Sequence, residues 1–227
     1  MGRALESAVT DPATWIPTAG AAVLSIGSVD EDITEWAADE NPLFGSRRVA
    51  DDYSSDAKNL LAGLSMVTSL AAWSGPDLES AALPKLKGLL LLEATALSSR
   101  SIRNELKKQI GRERPDGLDR LSMPSGHTST AFTHARWIIE DLDYLDLPSQ
   151  TRTDLKVATW VTAASVGWAR VEANRHYPTD VLMGAALGNF VTVFFREAFF
   201  EETGPDAPSL TIALEGSTTM VGLRWRF

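Results

Sequence analysis

Apolar residues recur every three or four positions from Asp51 to about Phe199, in stretches punctuated by proline. That period gathers them on one side of successive α-helices, and a helical bundle is the arrangement that buries such sides together. Asp52–Trp73 is one stretch, stopped by Ser74-Gly75-Pro76, and a second runs from about Leu83 to Arg112 before Pro115. Gly126–Leu142 carries an apolar stripe of Ala131, Phe132, Ala135, Ile138, Ile139 and Leu142. Pro148-Ser149 opens a helix to about Val171, and Pro178, favourable at a first helical position, opens the last one to about Phe199. The tail differs: Leu210–Leu214 and Val221–Phe227 alternate apolar and polar residues around Glu215–Thr218, the pattern of a short β-hairpin. The pattern predicts an all-α fold with a C-terminal hairpin.

Three regions follow. Residues 1–50, interrupted by Pro12, Pro17 and Pro42, are expected to form an irregular segment packed on the core, with a short helix around Glu31–Ala38. Residues 51–200 form the helical catalytic domain and 201–227 the tail. Trp15, Trp36 and Phe44 are read as core in preference to an apolar rim for a lipid tail. The longest apolar runs (Asn59–Trp73, Gly88–Leu97, Val157–Ala169 and Val181–Phe195) fall short of the roughly 18–20 residues that cross a bilayer. They are read as buried helices of a soluble bundle with no membrane span, and shallow membrane contact is left open.

The formal net charge of −9 argues against nucleic-acid binding. The absence of cysteine excludes disulfides and thiolate chemistry. Charge is unevenly placed. Residues 1–56 hold eleven acids against Arg3, Arg47 and Arg48, whereas residues 100–120 are basic. A basic island in an acidic protein is either a local anion site or a solvated helix face, and charge alone favours the second.

Three short stretches carry chemistry. In Lys107-x6-Arg114-Pro115 the two cations share nearly one helix face and can grip one dianion. In Pro124-Ser125-Gly126-His127, Ser125 suits an N-cap and Gly126 permits close backbone approach. The free N–H groups of that helix start would hold an anion beside His127. In Arg170-x5-His176-x3-Asp180, a carboxylate in the first turn after Pro178 can fix the tautomer of His176. Each stretch alone also fits a bland reading: a solvated basic pair, a capped helix, a capping acid.

In order and spacing the three resemble the signature of the type 2 phosphatidic acid phosphatase superfamily, which includes lipid phosphatases, bacterial acid phosphatases and vanadium haloperoxidases. The resemblance covers Lys107–Asp180, and Ala169 stands where the family usually has serine. It implies a metal-independent phosphatase. His176 would attack phosphorus and Asp180 would orient it. His127 would protonate the leaving alcohol and then activate water. Lys107, Arg114, Ser125, Gly126 and Arg170 would hold the phosphoryl oxygens. It also implies a phosphate monoester or diphosphate as substrate: a lipid phosphate, an isoprenyl diphosphate or a small soluble ester. No cofactor is expected, and vanadate is expected to inhibit. Soluble bacterial relatives suggest a periplasmic or secreted location, although Met1-Gly2-Arg3 does not begin an export signal. The third histidine, His134, is read as packing. The alternatives are a vanadium-dependent haloperoxidase using the same cradle, and a non-catalytic phosphate- or lipid-binding module.

Overall fold

Cap chemistry makes the first fifty residues helical, against the irregular segment expected from their prolines. The computed structural model describes residues 1–72, 78–199, 209–215 and 218–224. Helix α1 spans Gly2–Thr10, α2 Pro12–Leu24 and α3 Val29–Glu40. Asp11 caps α2, its Oδ1 accepting from the Ala13 N–H at 2.9 Å, and Pro12 occupies the first turn, where no N–H is needed. Pro17 lies inside α2 without ending it. Asn41, in the left-handed region at φ 45°, closes α3.

The periodic region then gives α4 (Arg47–Ala72), α5 (Leu78–Ile110), α6 (Gly126–Asp141), α7 (Ser149–Glu172) and α8 (Pro178–Phe199). The expected helix stop at Ser74-Gly75-Pro76 lies outside the described residues. Strands β1 (Ser209–Glu215) and β2 (Thr218–Arg224) pair antiparallel, with Ser209 opposite Arg224 and Glu215 opposite Thr218.

Helix α8 runs through the middle, packed against α1, α2 and α6, while α4, α6 and α7 bury Leu61, Ala135, Ile138 and Val166 among themselves. Two glycines set how closely α6 and α8 approach. A Cβ at Gly184 would stand 2.7 Å from the Ser125 carbonyl oxygen, and one at Gly188 would collide with that of Ser129. Small residues four apart let the two backbones touch, which brings the start of α6 against the start of α8. The N-terminal segment is pinned by Glu172, a buried carboxylate at the end of α7. It accepts from the N–H groups of Leu43 and Phe44 at 3.1 and 3.0 Å.

Two apolar features depart from the sequence reading. Trp15 and Trp36, expected in the core, are 52% and 53% exposed; Trp36 lies against Trp168, and Phe44 packs on Tyr53. Leu60, Leu64 and Val67 on α4 and Leu86, Leu90 and Leu97 on α5 are also exposed, each set on one helix face. Secondly, α8 is long and apolar enough to cross a membrane, although the sequence reading counted no such run. That reading stopped at the polar flanks. Asp180 and Arg196 sit in the first and last turns of one continuous 22-residue helix, so they do not shorten its apolar length.

Candidate active site

One end of the bundle collects the ends of five helices. The first turns of α4, α6 and α8 meet the ends of α5 and α7 there. The three sequence stretches lie there together.

His176 sits just before α8 and is 2% exposed. Its Nε2 lies 3.1 Å from Arg114 Nη1. An arginine can only donate, so Nε2 carries the lone pair and Nδ1 the proton. On the Nδ1 side, Asp180 Oδ2 is 3.6 Å away and Ser122 Oγ 3.4 Å away. The Ser122 hydroxyl in turn donates to Asp180 Oδ2, so the serine can relay the contact between ring and acid. Asp180 also accepts from the Tyr177 N–H at 2.9 Å and from Arg112 at 3.0 Å. Burial is the main cause that pushes the His176 pKa down to about 4, with Arg114 and Lys107 adding to it against Asp180. The ring is therefore neutral at ordinary pH.

Behind this pair stands Asp30 of α3, 2% exposed, from the segment that sequence reasoning left without a role. It accepts from Arg112 Nη2 at 2.7 Å, from the Thr179 N–H at 2.9 Å and from the Thr179 hydroxyl. Asp30 thus caps α8 and holds the arginine that holds Asp180. Arg112 also stacks on Tyr177, 3.9 Å above the ring centroid.

His127 is held more loosely. Its Nε2 meets Ser55 Oγ at 3.2 Å. Burial, then the charges of Arg170, Lys58 and His176, push its pKa down to about 3.

The residues expected to hold an anion lie around these histidines. Arg170 is 5% exposed; its Nη1 is bound by Asp51 and by Ser54 at 3.0 Å, but its buried Nε has no partner. A buried guanidinium N–H left unpaired is costly unless something binds there. Lys107 donates to the carbonyls of Leu121 and Ser122, and burial beside Arg114 and Arg103 lowers its pKa to about 8. Ser125 occupies the N-cap of α6 without capping it, against expectation. Its hydroxyl instead accepts from Thr128 at 2.9 Å, and its N–H donates to the Asp180 carbonyl at 2.8 Å. Its own hydroxyl proton remains available to an anion. Gly126 is the first residue of α6, where N–H groups lack intrahelical partners.

The basic island is divided: Arg100, Lys108 and Arg120 are exposed. Arg103, Lys107, Arg112 and Arg114 all turn inward, with Arg103 bound to the Gly126 carbonyl at 3.1 Å. His134 is buried against Ser65, 2.9 Å away on α4, and belongs to packing. Sequence reasoning missed Asp30, Arg112, Ser122 and the α4 set Asp51, Ser54, Ser55 and Lys58. The last has a legible signal, polar residues at i, i+3, i+4 and i+7 on one helix face; Asp30 has none. Among the described residues, no group of three or more His, Cys, Asp or Glu is placed to hold a metal ion.

Comparison with known proteins agrees with this geometry. The chain is 42% identical over 88 residues to the lipid A 1-phosphatase of Porphyromonas gingivalis. That match takes in 39% of this chain and 18% of the relative, so it spans under a fifth of the relative's length. The fold resembles the crystal structure of a transmembrane PAP2 type phosphatidylglycerolphosphate phosphatase from Bacillus subtilis. The TM-score is 0.59 at 23% identity, covering 82% of this chain and 92% of that one. A transmembrane protein shares the fold, which contradicts the expectation of a soluble bundle with no membrane span. The model of the PAP2 superfamily matches residues 87–203, more than half of the sequence and all of the three motif stretches: the chain belongs to the PAP2 superfamily.

Proposed function

We propose that this protein is a metal-independent lipid phosphatase that cleaves phosphate esters or diphosphates through a phosphohistidine on His176. The observation that carries the reading is the Nε2 of His176, a lone pair fixed by its neighbours and facing Arg114, with the charge of Lys107 nearby.

The phosphate draws Arg114 from Nε2 to a phosphoryl oxygen, which frees the lone pair. The Arg170 Nε–H, Lys107 and the Gly126 N–H take the remaining oxygens. Nε2 then bonds to phosphorus as the ester oxygen departs. His127 gives that oxygen its proton, and in the second step takes one from the water that releases phosphate. Protonated His127 is disfavoured by burial and then by the neighbouring cations, and a bound dianion would oppose both by bringing negative charge beside the ring. Three cations and a helix start supply the neutralisation that a metal supplies elsewhere.

The lipid assignment rests on the relatives, a lipid A 1-phosphatase and a phosphatidylglycerolphosphate phosphatase, and on the exposed apolar stripes of α4 and α5. The α4 stripe follows the site-facing residues Asp51–Lys58 and the α5 stripe precedes Arg103 and Lys107, so both lie away from the site end and the reacting groups would sit at the polar boundary of a bilayer. The test is hydrolysis of p-nitrophenyl phosphate and of a short-chain phosphatidic acid, in detergent with EDTA. Turnover abolished by vanadate and by His176→Ala is expected; turnover that EDTA removes would refute metal independence.

A further inference from the structure

Arg170, which the steps above give to the phosphate, already holds an anion. Asp51, near the start of α4, accepts from Arg170 Nη1 through Oδ1 and from Arg175 Nη2 through Oδ2, the second at 3.2 Å. The buried Arg170 Nε–H has no partner. A phosphate seated on it would share one guanidinium with a carboxylate, and two anions on one cation repel each other.

Arg175 is placed to ease that conflict. Asn174, in the left-handed region at φ 58°, turns the chain after α7, and the Arg175 N–H reaches the Arg170 carbonyl at 3.1 Å. The Arg175 carbonyl accepts from Arg114 Nη1 at 3.0 Å, so the backbone of this one residue ties together the two arginines expected to hold phosphate. Its side chain bridges two acids: Asp51 and, at 2.9 Å, Asp116 in the loop before α6. Both Nη groups are thus committed to carboxylates, which leaves Arg175 a poor direct ligand for phosphate. Arg170 is buried, whereas the side chains of Asp51 and Arg175 are 36% and 34% exposed. Arg175 therefore draws the Asp51 carboxylate outward, away from the buried guanidinium.

We propose that Asp51 is a resident competitor that weakens the hold of this site on phosphate, and that Arg175 takes the greater share of its charge while phosphate is bound. The role rests on the phosphatase reading above and adds to it a control on product release. Lys107, Arg114 and Arg170 with nothing to oppose them would keep the inorganic phosphate that the second step makes, and binding substrate and product ever more tightly does not raise turnover. With phosphate on the Arg170 Nε–H, Asp51 leans toward Arg175. When phosphate leaves, Asp51 settles back on Arg170, so the buried guanidinium is never without a counter-ion.

The test measures binding of inorganic phosphate by calorimetry, in detergent with EDTA, for the wild type, Asp51→Asn, Arg175→Met and the double variant. Asp51→Asn should tighten phosphate by about tenfold, since the repelling charge is gone and phosphate becomes the counter-ion of Arg170. Arg175→Met should weaken it by about threefold or more, because Asp51 then falls wholly on Arg170, and that loss should disappear in the double variant. A carboxylate that merely positions Arg170 would give the opposite sign. Weaker or unchanged binding in Asp51→Asn therefore overturns the proposal. So does an Arg175→Met loss that persists undiminished without Asp51, since the guanidinium would then attract phosphate by itself. Asp51→Asn is purified in phosphate and then exchanged out of it; if it does not survive the exchange, Arg175→Met decides, and tighter or unchanged binding there overturns the proposal. Hydrolysis of p-nitrophenyl phosphate is read separately. A wild type that turns over nothing yet shows these shifts in binding refutes the phosphatase reading and keeps the competitor, whereas one that does not bind phosphate refutes both.

Discussion

The two histidines of the site sit in differently built surroundings. His176 has a neighbour at every ring nitrogen: Arg114 on one side, Ser122 and Asp180 on the other, with Arg112 and Asp30 behind. His127 has a single serine and an open basic cavity. The difference fits the roles proposed for them. A nucleophile needs one tautomer and one orientation at every pH of interest, and dense hydrogen bonding supplies both. A group that gives and takes a proton must change charge within each cycle, and a fully satisfied ring would resist that.

If this division holds, substitutions should rank accordingly. His176→Ala should lower kcat by about a thousandfold or more for every substrate, since no intermediate can form. His127→Ala should cost about a hundredfold to ten-thousandfold on an alkyl phosphate, and far less on p-nitrophenyl phosphate, whose leaving group departs unprotonated. Equal losses on both esters would break the comparison by removing His127 from leaving-group protonation. Asp30→Ala should lower kcat by about ten- to a hundredfold with KM nearly unchanged, because it loosens the placement of Asp180 without touching the cradle. Ser55→Ala, on the loosely held side, should change kcat by less than about threefold.

The smallest signal is also the sharpest. His127, with its pKa near 3 in the free site, should take up a proton as vanadate binds near pH 6, whereas His176 should not. The sign follows from the anion: it raises the pKa of the ring beside it, so uptake fades once the pH passes the raised value. Calorimetry in buffers of different ionisation enthalpy reads that uptake, and it should vanish in His127→Ala.

Much of this was legible in the sequence. The five helices from α4 to α8 follow from apolar period and proline position, and each residue of the three motif stretches lies at one end of the bundle. What was illegible has physical causes. Caps overrode the prolines before residue 50: Asp11 and Pro12 start a helix that Pro17 does not stop. Asp30 looks like any surface acid in an acidic stretch, and only the fold reveals that it is buried beside Arg112. The basic residues after Arg100 read as a solvated face because charge composition is blind to direction. The span-length α8 was hidden by charged groups in its end turns.

The contact between Arg114 and His176 Nε2 has a further consequence. A lone pair kept for attack on phosphorus is open to any stray electrophile, and to protons whenever the surroundings turn acidic. While the guanidinium occupies it, neither can reach it without displacing a fixed positive charge. In the proposed mechanism a phosphate would do so by offering that charge a better partner, and in the same movement would present the phosphorus atom to be attacked. On that reading the catalyst is masked at rest and unmasked by its own target.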